Sequence, residues 1–262
     1  MTPMESADDQ VLRHRRVLVT GAGRGIGKAI ALTFAAEGAR VAVASRTEAD
    51  LEKVKAGCGE EALAIPMDVR SERDCVAAVD RCHQAFGGLD VLVNAAGIAG
   101  SQKFIDLSTE TWRDIVATDL DGPMYTTRAA IPLLLESGAG RVISISSTAA
   151  LVGGRYVAAY TAAKHGLLGL MRALAVEYGS TGVTFNCICP SYVDGEMTDR
   201  TIANIVSRTH RTEEQARAAL LTPQGRLIEP GEVARLAVFL ASDAGRSING
   251  QALVIDGGAT AG

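Results

Sequence analysis

Tyr160 and Lys164 stand four residues apart in an amphipathic stretch, a spacing that sets a phenol and an ammonium on one helix face. An ammonium that close favours phenolate and is expected to lower the tyrosine pKa toward the range useful for general acid–base work. A second run, Thr20-Gly21-Ala22-Gly23-Arg24-Gly25-Ile26-Gly27, joins an apolar segment to an amphipathic one. Gly21, Gly25 and Gly27 permit a tight turn that brings free backbone N–H groups against a pyrophosphate. About twenty residues further on, a dinucleotide site ordinarily carries an acid for the ribose hydroxyls. Ser45 and Arg46 stand there instead. A hydroxyl and a planar guanidinium suit a 2′-phosphate, so NADP(H) is favoured with NAD(H) possible, and Arg24 is placed to add charge from the other side.

These groups need a frame. Apolar segments of strand length at 16–20, 40–44, 62–67, 89–93, 142–145, 183–188 and 252–255 alternate with amphipathic stretches, notably 109–136, 158–178 and 231–242. The pattern predicts an α/β fold, one seven-stranded parallel sheet with helices on both faces and ligands at the carboxyl ends of the strands. Residues 190–230 break the rhythm with two short amphipathic pieces, 198–207 and 212–221, and predict a substrate lid. Residues 1–15 read as a flexible N-terminal arm ahead of a single catalytic domain, 16–262, and the cluster Arg13-His14-Arg15-Arg16 at their junction reads as solvated charge.

With 262 residues, 47% of them hydrophobic, and a net charge of -4, the chain can bury a full core and lacks the basic balance of a nucleic-acid binder. No apolar run reaches the ~20 residues of a bilayer span, and residues 1–10 carry no apolar core of a signal peptide. The five cysteines are odd in number and scattered, and Cys187 and Cys189 lie too close for the usual zinc spacing. No metal is expected, and reduced thiols in a cytoplasmic protein are.

From residue 16 to residue 258 the chain resembles the short-chain dehydrogenase/reductase family. The resemblance is carried by the glycine run above, Asp68-Val69, Asn94-Ala-Ala-Gly97, Ile145-Ser-Ser147, Tyr160-x-x-x-Lys164 and Asn186-Cys-Ile-Cys-Pro190. It implies a single-domain Rossmann fold and NAD(P)(H)-dependent hydride transfer between nicotinamide and a ketone or secondary alcohol. It further implies that Tyr160 is the acid/base, that Ser147 fixes and polarises the substrate oxygen, and that Lys164 binds the nicotinamide ribose. Asp68 and Val69 would meet the adenine, Asn94 and Gly97 would line the cofactor channel beyond the Gly21–Gly27 loop with its Ile26, and Pro190 and Val193 would flank the nicotinamide. Ser144 and Ser146 read as strand and turn residues, His165 as turned to another helix face, and Trp112 as helix packing. A homo-oligomer, dimer or tetramer, packed through 109–136 and 158–178, is also implied.

Three positions depart from the family pattern. Asp119, in Thr118-Asp119-Leu120-Asp121-Gly122, stands where the family places a catalytic asparagine that helps hold a water between the lysine and solvent, partly through its backbone carbonyl. A carboxylate loses the amide donors and, once buried, needs a proton or a cation such as Lys164, so Asp119 is expected to keep the proton relay with an altered pH profile. Ser191 replaces a glycine, and Gly195 replaces a threonine that bonds the nicotinamide carboxamide. Asp194 and Glu196 are left at the site entrance as either solvated charges or a barrier to anionic substrates.

The substrate pocket is expected from 98–104, 150–157 and the lid. Ile98, Leu151, Val152, Ile202, Ile205, Leu220 and Leu221 make it apolar, which suits a ketone or a 3-oxoacyl/3-hydroxyacyl thioester; the lid and 225–230 resemble those of members acting on such thioesters. Two other classes remain on this fold. The set Ser147, Tyr160 and Lys164 argues against a non-catalytic dinucleotide sensor or scaffold, and the one-domain length argues against a dehydratase or epimerase.

Overall fold

The computed structural model describes residues 10–261. Its strands are β1 (Arg16–Thr20), β2 (Arg40–Ser45), β3 (Leu63–Pro66), β4 (Val91–Asn94), β5 (Arg141–Ile145), β6 (Thr184–Pro190) and β7 (Ala252–Ile255). Between them run α1 (Gly25–Ala36), α2 (Glu48–Cys58), α3 (Glu72–Phe86), α4 (Thr109–Val116), α5 (Gly122–Glu136), α6 (Ala158–Glu177), α7 (Glu196–Arg208), α8 (Glu213–Ala218) and α9 (Pro230–Ala241). The strands form one parallel sheet in the order β3-β2-β1-β4-β5-β6-β7.

Alternate strand residues face opposite ways, and here both faces are covered. Leu18, Ala42, Leu92 and Val142 share a core with α3, α5 and α6. Val17, Val19, Val41, Val43 and Ile143 share another with α1, α2 and α9. Double burial is the physical reason these strands are almost continuously apolar. Between β1 and β4 the winding reverses, which opens a crevice at the carboxyl edge. Thr20 pins that crevice: its Oγ1 accepts the N–H groups of Ala95 at 3.2 Å and Ala96 at 3.4 Å.

The structure departs from the sequence pattern in two places. The stretch 109–136 is not one helix. After α4 the chain makes a π-helical turn, Ala117–Asp121, closed by a bond from the Gly122 N–H to the Ala117 carbonyl, and only then enters α5. Pro123 is the reason, since it has no N–H to offer the carbonyl four residues earlier, that of Asp119, and its ring crowds that carbonyl. The second departure lies before β1. Residues 1–9 of the expected arm lie outside the described residues, but 10–15 are docked, with Leu12 fully buried and Arg15 paired to Asp243 at 2.8 Å. Arg16 likewise holds Asp90 through Nη2 at 2.7 Å.

Candidate active site

The glycine loop fits a phosphate cradle by its lack of side chains. Gly21 has φ of +66°, and a Cβ there would lie 2.5 Å from the Ala96 nitrogen. A Cβ on Gly27 would strike the Gly21 carbonyl, so the loop closes onto α1 only with glycine at both positions. Above Gly25, φ +53°, there is open space, where the N-terminus of α1 presents its unpaired N–H groups. Ser45 ends β2 beside Gly23, and Arg46 follows it, exposed and without an ion pair among the described residues. Arg24 is already engaged: its Nη1 meets Glu196 at the start of α7 at 2.7 Å.

On the far side of the crevice the start of α6 brings Tyr160 and Lys164 onto one face, with the Lys164 nitrogen 5.5 Å from the Tyr160 ring centre. Ser147 ends the strand-to-turn junction after β5; its Oγ accepts the Ala149 N–H at 3.1 Å, which leaves the hydroxyl proton to donate. It also interacts with the Tyr160 hydroxyl. Lys164 is buried and donates to the Ile145 carbonyl at 3.0 Å. Asp119, delivered by the π turn, accepts the Ile98 N–H on Oδ1 at 2.8 Å and faces Lys164 with Oδ2 at 3.2 Å. That last contact is an ion pair whose angles fall short of a hydrogen bond. A Cβ on Gly97 would sit in ordinary contact with Asp119 Oδ2 at 3.4 Å and the Lys164 nitrogen at 3.6 Å, so Gly97 lies directly beside the pair.

The electrostatics correct one sequence expectation. Burial pushes the Tyr160 phenol above its ordinary range, Lys164 pulls it down, and Asp119 pushes it up again, so the net direction is upward. Burial works against the Lys164 ammonium, but Asp119 more than offsets it and holds the amine above its ordinary range. Asp119 itself is raised by burial, against the pull of Lys164 and the Ile98 N–H. A nearby lysine does favour phenolate, but here burial outweighs it and a buried carboxylate opposes it.

Other residues from the sequence reading fall into place less uniformly. Pro190 and Val193 frame the loop after β6, where Val193 bridges to Ile228. Asp68 lies at the crevice with its carboxylate held by Arg70 at 2.7 Å, and Val69 packs against Gly122. The Asn94 side chain does not line the channel. Its amide donates to Thr127 at 3.1 Å and Ser144 at 3.3 Å, and Thr126 donates to its oxygen at 2.7 Å, so Asn94 ties β4 to β5 and α5. Asn186 similarly ties β6 to the turn before β7. His165 points away, its Nδ1 at 3.0 Å from the Thr161 carbonyl.

The lid residues also need correction. Ile202 and Leu220 are buried with Ala216 and Leu227 in the small core of α7 and α8, with Ile205 packed against it, while Leu221 is exposed. They hold the 190–230 segment together, and the apolar surface in the segments framing the site comes instead from Phe104, Ile105, Val152, Tyr156, Tyr192 and Met197, all exposed. Asp194 and Glu196 are solvent-exposed and paired, Asp194 with Arg217 at 2.8 Å and Glu196 with Arg24 and Arg200. Gly195 has φ of +141°, a backbone that a threonine does not adopt without strain, so its lack of a side chain is built into the start of α7. Pro123, which sets the π turn, escaped the sequence reading although a proline inside a helical pattern was its visible signal.

The cradle, the crevice and the Ser147–Tyr160–Lys164 cluster together fit a nicotinamide dinucleotide laid across the carboxyl edge of the sheet. Comparison with known proteins agrees. The profile of a family described as Enoyl-(Acyl carrier protein) reductase matches residues 21–260. The D-beta-hydroxybutyrate dehydrogenase of Cupriavidus necator is 35% identical over 95% of this chain and 98% of its own, and the meso-2,3-butanediol dehydrogenase of Serratia marcescens is 37% identical over 94% of each. Among solved structures, a single-residue variant of actinorhodin polyketide ketoreductase with NADPH superposes with a TM-score of 0.89 at 35% identity, covering 98% of this chain and 99% of that one. A site of this geometry on a chain so matched along its length identifies the protein as a member of the short-chain dehydrogenase/reductase family, an oxidoreductase that transfers hydride between a nicotinamide cofactor and a ketone or alcohol.

Proposed function

We propose that the chain is an NADP(H)-preferring oxidoreductase for an apolar ketone or a 3-oxoacyl/3-hydroxyacyl thioester, with Tyr160 as its acid/base. The observation that carries this reading is the convergence of Ser147, Tyr160 and Lys164 at the crevice edge. Ser147, its own oxygen satisfied by Ala149, offers its proton to the substrate oxygen and fixes it. Tyr160 exchanges a proton with that same oxygen at its Oη. Lys164, with one N–H on Ile145, holds another toward the groove for the ribose hydroxyls, beside Gly97. The nicotinamide, when bound, supplies or accepts the hydride.

The finer assignments rest on separate features. Arg46 beside Ser45 supports NADP(H), because no carboxylate stands at the end of β2 to repel a 2′-phosphate. The exposed apolar groups around the mouth support an apolar acyl or alkyl substrate, as do relatives named for ketoacyl reduction and hydroxybutyrate oxidation. Five free cysteines support a cytoplasmic setting, and the outward faces of α5 and α6, where Leu135 and Val176 are exposed, support a homo-oligomer, dimer or tetramer. Among the described residues no helix is long and apolar enough to cross a membrane. The test is the loss or gain of reduced-cofactor absorbance with NADPH and with NADH across a panel of 3-oxoacyl thioesters and apolar ketones. Turnover should fall by roughly 10²–10⁴-fold in Tyr160→Phe. Turnover that survives the loss of the phenol would remove Tyr160 from the chemistry.

A further inference from the structure

The Lys164 ammonium has three N–H groups. One is bound by the Ile145 carbonyl, one side faces Asp119 Oδ2 at 3.2 Å, and the remainder is turned to Tyr160 and the groove. The pair is sealed, with side-chain exposures of 4% for Lys164 and 0% for Asp119. Asp119 is also locked from behind, by the Ile98 N–H on its other oxygen and by the π turn that Pro123 imposes. An amide at this position would leave Lys164 as an uncompensated positive charge beside Tyr160. A carboxylate makes the two together neutral.

The other polar and titratable groups around this cluster are few. Ser147 approaches Tyr160 from the turn after β5. From β6, Cys187 and Cys189 face Lys164, and burial pushes both thiols up, so they stay neutral. Arg172, farther along α6, acts on those two cysteines. On α6 itself, His165 is directed away. Asp119 is therefore the group that decides how much of the lysine's charge Tyr160 feels.

We propose that Asp119 is a positioning residue that engages Lys164 in a buried ion pair and withholds part of the lysine's charge from Tyr160, so that the site works as a carbonyl reductase. The proposal rests on the hydride-transfer reading above and adds its direction. In the reductive step the carbonyl carbon takes hydride from the reduced dinucleotide, which is oxidised, and the carbonyl oxygen takes the proton from Tyr160 Oη. The product is the alcohol, and the phenolate regains a proton from water. The reverse reaction needs Tyr160 as phenolate, a form that burial disfavours and that Asp119 disfavours further by offsetting part of the Lys164 charge. Both burial and Asp119 act on the phenol in this direction.

The experiment is a tyrosinate absorbance titration of the cofactor-free protein, its Asp119→Asn variant, and each of these carrying Tyr160→Phe. Subtraction isolates Tyr160 from the other tyrosines, and Asn keeps an oxygen for the Ile98 N–H while removing the charge. The Tyr160 step is expected to move to lower pH in Asp119→Asn, with the alkaline rise of alcohol oxidation moving the same way in the loaded enzyme. A step that stays in place or moves up would overturn the proposal, and so would a Tyr160 step at or below neutral pH in the unsubstituted protein. This second reading needs no variant at position 119. Because the titration uses no turnover, its failure leaves the oxidoreductase reading intact, whereas Tyr160-independent turnover would take Tyr160 out of that reading's chemistry whatever the titration shows.

Discussion

Replacing Lys164 by methionine tests the buried pair through stability alone. At 3.2 Å the two charges attract by about 5 kcal/mol at an effective dielectric of about 20. Desolvating each ion costs several kcal/mol, so the intact pair adds little net stability. Removing one partner is another matter, because Asp119 keeps its desolvation cost and loses the attraction. With Asp119 fully buried, the loss should approach the roughly 3–5 kcal/mol seen when one half of a buried pair is deleted. For a domain of this size that is a fall in Tm of roughly 6–20 °C.

The pH dependence of that fall has a definite sign. Burial already raises the Asp119 carboxyl, and without Lys164 its main opposing influence is gone. A group whose folded pKa lies above its unfolded one favours the fold below the unfolded pKa and loses that contribution as pH rises through the folded pKa. The deficit of Lys164→Met relative to the parent should therefore be largest at neutral pH and above, and shrink in acid. Adding Asp119→Asn should recover much of it at neutral pH, since the stranded charge is removed. Thermal and urea melts of the four proteins of this cycle, each compared with the parent in the same buffer, give the coupling. A Lys164→Met protein that melts like the parent at neutral pH, or whose deficit is the same in acid and in neutral buffer, would refute the ion pair.

Two further substitutions probe the cofactor half of the site. Arg46→Asp should lower the preference for NADPH over NADH by roughly 10–100-fold in kcat/KM, the equivalent of one charge-assisted hydrogen bond, and an unmoved ratio would take Arg46 out of the 2′-phosphate site. Gly21→Ala should cost roughly 2–5 kcal/mol in urea unfolding and weaken dinucleotide binding as read by cofactor fluorescence, because φ of +66° and the Ala96 backbone at 2.5 Å both oppose a Cβ. Full dinucleotide binding by a stable Gly21→Ala protein would mean that the loop does not approach the pyrophosphate as closely as its geometry implies.

Much of this protein is written in local pattern. Segments such as Val17-Leu18-Val19 and Val91-Leu92-Val93 can be buried on both faces only in a covered parallel sheet, so the seven strands and their alternation with helices follow from periodicity and composition. The glycine run and the Tyr160–Lys164 spacing are equally local, because a tight turn and one helical turn are short-range geometry. What the pattern left open depends on groups distant along the chain. That Asp119 meets Lys164 depends on the β4–β5 neighbourhood and on Pro123 turning one helical segment against the next. That Arg24 reaches Glu196, or that the Asn94 amide turns to Thr127 and Ser144, depends on which elements the sheet order brings together.

The same holds for the residues read as pocket or arm. An apolar residue such as Ile202 or Leu220 lines a ligand site or a small core according to what packs against it, and Leu12 is solvated or buried by the same rule. Periodicity tells which face of an element is apolar and says nothing about what that face meets. The charge of the active site shows the division most sharply. Sequence alone placed an ammonium beside a phenol and a carboxylate at an unusual position. Only the tertiary structure, by burying the carboxylate and the ammonium together beside the partly buried phenol, decided that the carboxylate offsets the ammonium's pull on the phenol.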